Sequence, residues 1–220
     1  MSTFPGSPKL LKGGLIVLAP SGTRARRVIS LQYNPDTLTR TYQVQGVGGE
    51  GGGERAQPFR LKGAAIESIK LDAEIDATDQ LEFPDRNPVA TEVGIAPQIA
   101  VLETLVNPTT AELLAVDSAA SGGTLEILPP ESPLVLFVWS SNRVVPVRVT
   151  EFSVTEEAFD PLLNPIRAKV SIGLRVLTVD DLGYSHRGGT LFLSYLRTRE
   201  ALAARVPGTT LQSLGLSNLP

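Results

Sequence analysis

Hydrophobic and polar residues alternate along several stretches of this chain, which is the pattern of strands that bury one face. The longest alternations lie at residues 66–76 and 166–179, where nearly every second residue is apolar. Residues 134–139 are almost continuously apolar, as expected of a strand buried on both faces. Shorter strands are predicted at residues 15–19, 28–33, 38–44 and 144–155. The pattern therefore predicts roughly seven strands.

Helical periodicity is limited to three stretches. Pro97 suits the first turn of a helix, and the apolar residues after it recur at three- and four-residue spacing. We therefore predict a helix near residues 97–106. A second, short helix is predicted to follow it, and either Thr109 or Thr110 can cap this helix. A third helix is predicted over residues 190–206, so the chain is β-dominated with a few helices.

Turn residues divide these elements. Asn and Asp bond nearby backbone and Pro presets φ, so residues 34–37 predict a tight turn. This turn would join residues 28–33 and 38–44 into a β-hairpin. Two prolines indicate another hairpin loop at residues 159–165, and a loop is also predicted at residues 84–88.

Residues 46–54 are the most glycine-rich part of the chain, with six glycines among them. Glycine loops that bind phosphate end in Gly-Lys-Ser/Thr, which supplies a charge and a metal ligand. This segment lacks that ending, and no clear strand-to-helix context flanks it. We therefore predict a mobile loop between two strands.

Composition excludes many kinds of chemistry. The 220 residues include no Cys and a single His, His186. Disulfides, thiol catalysis, zinc fingers and iron–sulfur clusters are thereby excluded, and so is any site that needs two imidazoles. His186 lies in a predicted loop with no nucleophile motif to pair with it. We expect no enzymatic activity, no cofactor and no metal.

Charge and hydropathy give no sign of a nucleic-acid or membrane partner. Lys and Arg number 20 against 23 Asp and Glu, a net charge of −3, which gives no global electrostatic reason to bind nucleic acid or anionic membranes. No apolar run suits a cleaved signal peptide or a transmembrane span. We expect cytoplasmic assembly without membrane insertion.

The densest group of carboxylates comprises Asp72, Glu74, Asp76 and Asp79. A catalytic pair needs two carboxyl groups in different environments, so that their pKa values separate. Three of these residues instead alternate on one face of a predicted strand, and a solvated surface accounts for them. A calcium loop is excluded because Ala77 stands at its glycine position and Phe83 at its bidentate glutamate position.

Basic residues are concentrated at two places. They are Arg24, Arg26 and Arg27 at the start of one strand, and Arg167, Lys169 and Arg175 along another. A solvated face accounts for such residues. Contact with the acidic surface of a partner subunit also does, since charge complementarity sets register in assemblies. The net charge favours neither interpretation, and both stay open.

Five segments carry a resemblance to a known family. Residues 31–40 resemble FQYNP-x-x-L-x-R and residues 71–79 resemble L-x-x-E-x-D-A-T-D. The other three are residues 97–105 (P-x-L-A-x-L-E), 133–139 (P-x-x-x-F-x-W-G) and 154–169 (V-T-x-x-x-F-D-x-x-x-x-P-x-R-A-K-V). In this order they resemble the tube-type proteins of contractile injection systems, which are phage tail-like particles, over roughly residues 14–180.

The resemblance implies a mainly β (α+β) fold. Its expected form is a phage-tail-tube-like β-barrel or sandwich with one packed helix and a C-terminal helical extension. The implied division is a flexible N-terminus at residues 1–13, a tube-like domain at 14–182 and a helical tail at 183–220.

The resemblance also implies a structural role, similar to that of the adaptor joining the inner tube to the baseplate. Such subunits form rings of six copies, a hexamer, and contact inner tube subunits, the hub or spike, and wedge proteins. A cap at the end of the tube remains an alternative. The LysM signature of many adaptors is missing, since Gly189-Thr190-Leu191 matches it only in part, so peptidoglycan binding is not expected.

Two interpretations of other kinds stay open. One is a carbohydrate-binding or hydrolytic β-sandwich that uses the acidic strand, and the other is a monomeric assembly factor. For a ring subunit, the residues expected at contacts with neighbouring subunits are Arg24, Arg26, Arg27, Asp72, Glu74, Asp76, Asp79, Arg167, Lys169 and Arg175.

Overall fold

Seven strands form the body of the protein, as the alternation predicts. The computed structural model describes residues 10–19, 24–46, 61–121 and 132–218. The predicted glycine loop lies outside these residues except for Gly46, and so do residues 1–9. The strands are β1 (Gly14–Leu18), β2 (Ala25–Ser30), β3 (Leu38–Gln43), β4 (Ile66–Asp76), β5 (Val135–Ser140), β6 (Arg143–Phe159) and β7 (Pro165–Val176).

The strands make one sheet in the order β2-β1-β5-β6-β7-β4-β3, and every pairing is antiparallel. The predicted hairpin loop at residues 159–165 is confirmed, because β6 and β7 pair on either side of it. The predicted hairpin of residues 28–33 with 38–44 is wrong. β2 pairs with β1, β3 pairs with β4, and the two strands form opposite edges of the sheet.

The segment between β2 and β3 joins distant parts of the sheet. The Leu31 N–H donates to the carbonyl oxygen of Gly13, beside β1, at 2.9 Å. Nε2 of Gln32 donates to the carbonyl oxygen of Asp76 at 2.6 Å, and the Asp76 N–H donates to Oε1 of Gln32 at 3.0 Å. A flat sheet would hold β1 and β4 about 19 Å apart, at four strand spacings. Because Leu31 and Gln32 are adjacent, the sheet must curl into an open barrel.

Asn34 reinforces the same junction. Its Oδ1 accepts a hydrogen bond from the Gly13 N–H at 2.8 Å, and its Nδ2 donates to the carbonyl oxygen of Leu11 at 2.7 Å. We call Leu31, Gln32 and Asn34 the clasp. The Asn-Pro sequence does bend the chain, but its asparagine bonds the segment before β1 instead of closing a hairpin.

The core fills the inside of the curled sheet. On β4 the predicted alternation is confirmed, since Ile69, Leu71 and Ala73 are buried while the residues between them are exposed. Burial of each large aliphatic side chain stabilises the fold by about 1.5–3 kcal/mol. The other fully enclosed residues include Phe137, Val145, Val147, Ala168, Val170, Ile172, Leu174 and Val176.

Short helices follow β4 and cover one end of the barrel. They are α1 (Thr78–Leu81), a 3₁₀ turn (Pro84–Arg86), α2 (Pro88–Val93) and α3 (Ala96–Glu103). The helix predicted near residues 97–106 is thus confirmed with an earlier end, and it buries Ile99 and Leu102. The loop predicted at residues 84–88 is wrong. Pro84 and Pro88 each begin a helical turn, and the Asn87 side chain donates to the carbonyl oxygens of Gln80 and Phe83.

The second predicted helix is α4 (Thr110–Ser121). Thr109 caps it, because the Glu112 N–H donates to Oγ1 of Thr109 while Oε2 of Glu112 accepts from the Thr109 N–H at 2.7 Å. None of its residues is buried, and Leu113 and Leu114 are more than half exposed. α4 therefore draws little stability from the core.

The opposite end of the barrel is covered by α5 (Val179–Leu182) and α6 (Arg187–Ala203). Gly189 lies against the carbonyl of Gly183, where any side chain would collide. This close approach packs the two helices together and lets α6 bury Phe192 and Tyr195 in the core. A 3₁₀ turn (Leu211–Leu214) follows. Among the described residues, no helix combines the length and hydropathy needed to cross a membrane.

Replacement of Gln32 by alanine tests the clasp. The change removes the partners of both the N–H and the carbonyl of Asp76, and we expect a loss of about 1–3 kcal/mol in the free energy of unfolding. Chemical denaturation measures it. Gln43→Ala, on the exposed edge of β3, is the control and should change stability by less than about 0.5 kcal/mol. Equal stability of the two variants would contradict a structural role for the Gln32 side chain.

Candidate functional site

The outer face of β4, β7 and β6 carries the charged residues of the two long alternating strands. Paired positions form rungs across the three strands. Asp72 faces Ser171 and then Ser153 in one rung, and the rung of Glu74, Lys169 and Thr155 follows it. This face is therefore a row of polar side chains on a rigid sheet.

In one rung, an ion pair joins β4 and β6 across a glycine of β7. Nζ of Lys70 lies 2.7 Å from Oε2 of Glu151, on the two strands that flank Gly173. A Cβ atom at Gly173 would lie 2.9 Å from Cβ of Glu151. The absence of a side chain on β7 therefore lets the charges of β4 and β6 meet.

Two of the basic residues proposed for contacts are already paired within the chain. The Glu157 carboxylate lies 3.5 Å from Nε of Arg167 and 3.1 Å from Nζ of Lys169. These side chains are about half exposed, and exposed ion pairs contribute about 0–1 kcal/mol. Their main effect is to direct both cations toward β6.

Asp72 and Glu74 differ from these residues. Both are exposed, and neither has a cation within ion-pair distance among the residues that the structure describes. They lie on the floor of a trough of roughly 790 Å³, whose wall is formed by residues 33–37. Asp36, on that wall, adds a third exposed carboxylate. Lys169 lines the same trough, so three carboxylates there stand against one ammonium group. The trough is therefore acidic and open.

The remaining acidic candidates and Arg175 have local roles. Asp76 accepts a hydrogen bond from the Thr78 N–H at 2.7 Å. Burial alone would raise the pKa of Asp76, but the hydrogen bonds from Thr78 lower it below its usual value. Arg175 pairs with Asp181 at 2.9 Å. Asp79 is exposed in α1, outside the trough.

The first basic group lies on the opposite part of the sheet. Arg26 and Arg27 lie in β2, an edge strand, at the point where its register with β1 shifts, and Arg24 immediately precedes the strand. All three side chains are exposed, and none forms an ion pair with any residue of the described ranges. Within one chain, then, the β2 arginines and the trough carboxylates do not meet.

A buried carboxylate that the sequence analysis missed lies at the start of β4. Glu67 is 2% exposed and accepts hydrogen bonds from the hydroxyls of Tyr42 at 2.8 Å and of Tyr195 at 3.1 Å. The guanidinium groups of Arg40 and Arg199 lie 3.6 and 3.7 Å from it. We call these five residues the Glu67 cluster.

The Glu67 cluster fastens α6 to the edge of the sheet. Burial, together with the hydrogen bond to Glu67, raises the pKa of Tyr42, so its phenol remains a donor. The guanidinium of Arg199 also lies over the rings of Tyr42 and Tyr195, at 5.1 and 5.4 Å. Glu67 falls in the same alternation as Ile69, which is the one signal in the sequence that it is buried.

His186 has a structural position. It precedes α6, and its Nδ1 accepts a hydrogen bond from the Gly188 N–H at 3.1 Å. Histidine thus serves here as the cap of a helix. In the described part of the chain, no three carboxylates or imidazoles converge in a way that would hold a metal ion.

Replacement of Glu67 by glutamine tests the cluster. The amide keeps the shape of the side chain but loses its charge, so we expect a loss of about 1.5–3 kcal/mol in the free energy of unfolding. Amide exchange in α6 should accelerate more than exchange in α3. Glu74→Gln, on the exposed face of the same strand, is the matched control. If exchange in α6 were unchanged in the Glu67 variant, the fastening of α6 by Glu67 would be refuted.

Comparison with known proteins places the chain in a family. A solved structure described as the tail of an empty GTA particle, computed with helical refinement in C6 symmetry, matches with 13% identity and a TM-score of 0.29. The match covers 74% of this chain and 90% of that one. None of the curated proteins matches in sequence. The family model of the contractile injection system tube protein matches residues 18–181, most of the chain, so this protein belongs to that family.

Proposed function

We propose that this chain is a structural subunit that forms a ring of six copies between the inner tube and the baseplate of a contractile injection particle. In this role it joins inner tube subunits to the hub or spike and to the wedge proteins. Its role is mechanical, without a cofactor or a catalytic step, and the ring assembles in the cytoplasm.

Unpaired strand edges are the observation that carries this proposal. Among the strands that the structure describes, β2 and β3 each pair on one side only. β5 pairs with β6 from Arg143 to Val147, whereas β6 continues to Phe159. Residues 148–159 therefore pair only with β7 within the described part of the chain. Free edges offer backbone donors and acceptors to another chain, so they favour assembly.

The two ends of the sheet favour a ring over a two-fold dimer. β2 carries Arg26 and Arg27, whereas β3 carries Arg40 and Tyr42, which are engaged with Glu67. Surfaces that differ in this way suit head-to-tail contacts, and such contacts close into a ring when the rotation permits.

The C-terminal part supports a position at a junction. The family model ends at residue 181, before α6 begins. We therefore propose residues 14–182 as the tube-like domain and residues 183–220 as an added helical tail. Val206 and Leu214 are each 72% exposed beyond α6. A subunit that joins two different structures needs a second contact surface, and these side chains offer one.

Copy number in purified particles tests the proposal. An adaptor ring should be present in a fixed number per particle, while the principal tube subunit scales with tube length. Quantitative mass spectrometry of particles of different length distinguishes these cases. A copy number that rises with length, or the absence of the chain from purified particles, would contradict the adaptor role.

The position of the ring separates the adaptor from the cap. Cryo-electron microscopy of the same particles should place the chain at the baseplate end of the tube. A ring at the far end would instead support the alternative of a tube cap.

A further inference from the structure

We propose that β2 of one subunit inserts edge-on into the acidic trough of the next copy of the chain. This inference rests on the proposed ring and assigns one of its contacts. The occupant of the trough is therefore a second copy of this protein, held by the pairing of arginines with carboxylates.

The pattern of paired and unpaired charges supports this contact. Three cations of the β4–β7–β6 face, Lys70, Arg167 and Lys169, each pair with a glutamate of β6, and a fourth, Arg175, pairs with Asp181. Asp72 and Glu74 on the same face have no such partner among the described residues. Lys169 also lines the trough, but its ammonium group pairs with Glu157 and not with Glu74, its neighbour in register, so one lysine stands there against three carboxylates. The trough therefore retains negative charge.

The shape of the trough suits an extended strand. Its floor includes the small side chains of Ser171 and Ser153, which stand in the same rung as Asp72. Asp36 faces the floor from the wall formed by residues 33–37. Carboxylates thus lie both below and beside an inserted segment.

β2 has the matching features. It is an edge strand, so one side of its backbone is unpaired within the described residues. Arg26 falls where the register with β1 shifts, as at a β-bulge, and both Arg26 and Arg27 are exposed there, so both guanidinium groups are available to an acidic partner. Val28, 66% exposed, would be shielded by the same contact. Arg24, Arg26 and Arg27 can therefore meet Asp36, Asp72 and Glu74 of the neighbouring copy.

The carboxylate of Glu112, in the same chain, lies near this arginine edge. Hydrogen bonds from Thr109 lower the pKa of Glu112, and the positive charge of Arg26 adds to that effect. No ion pair joins Arg26 and Glu112 in the described structure. The arginine edge thus keeps a net positive charge, and opposite charges across an interface favour association.

Charge reversal tests the contact directly. The double variants R26E/R27E and D72K/E74K should each raise the concentration for self-association of the purified chain by more than about tenfold, because like charges then face each other. A mixture of the two variants should recover association. When the two variants alternate around the ring, the reversed edge of one meets the reversed trough of the other, and the unchanged edge meets the unchanged trough. Every contact then joins opposite charges, and an even number of copies, such as six, permits this alternation. Sedimentation velocity and light scattering measure the species.

A variant that carries all four substitutions in the same chain should likewise self-associate, because its reversed edge meets the reversed trough of the next copy. R197E and E103K reverse exposed charges outside both surfaces and serve as controls that should leave association unchanged. Added salt should weaken the wild-type contact, since exposed charges are screened.

The outcomes separate this contact from the ring itself. If the wild-type chain forms rings and both double variants form them equally well, the proposed contact is wrong and the ring proposal stands. Failure of the mixture to associate, with both variants folded by circular dichroism, would also overturn it. A wild-type chain that stays monomeric at every concentration would contradict the ring as well.

Discussion

The clasp between β2 and β3 is the interaction on which the rest of the structure depends. Gln32 bonds both main-chain groups of Asp76 at the end of β4, and Asn34 bonds Gly13 and Leu11 beside β1. These few hydrogen bonds hold together strands that lie four positions apart in the sheet. The sheet therefore curls, and only a curled sheet can enclose the large aliphatic core with helices at its two ends. The clasp also keeps β2 and β3 from pairing with each other, so both remain edges.

The distribution of charged residues between the inside and the outside of the protein follows from this curvature. Among the described residues, the buried polar or charged side chains are Glu67 and Thr178, and Thr178 caps α5. Two tyrosine donors and two nearby arginines keep the charge of Glu67 satisfied and fasten α6. On the outer face, most cations are bound to glutamates of β6. The carboxylates of the trough and the arginines of β2 are left over, and neither group has a partner in the described chain. Strand edges without a paired neighbour and charged side chains without an ion-pair partner, as found in the described residues, are typical of a subunit that assembles with other chains.

Local signals account for what the sequence predicted correctly. Alternation, together with one continuous apolar run at residues 134–139, located the seven strands, and the face of β4 that carries Ile69 and Leu71 is buried as expected. The predicted hairpin failed because the bonds of Gln32 to Asp76 span 44 residues, which no turn signal reveals. Glu67 was missed for the same reason, since Tyr195 lies 128 residues away. Of the charged residues expected at contacts, the sequence could not distinguish Lys169, which pairs with Glu157, from Asp72, which has no ion-pair partner among the described residues.

The absence of cysteine from this chain makes one measurement especially direct. A variant with both Arg27→Cys and Asp72→Cys carries one thiol on each proposed contact surface. Mild oxidation of assembled protein should produce a ladder of covalent multimers that ends at the closed ring, visible on a denaturing gel without reductant. Each single variant should give no more than a dimer. If the double variant gave no multimers above the dimer, the head-to-tail ring of edge and trough would be contradicted.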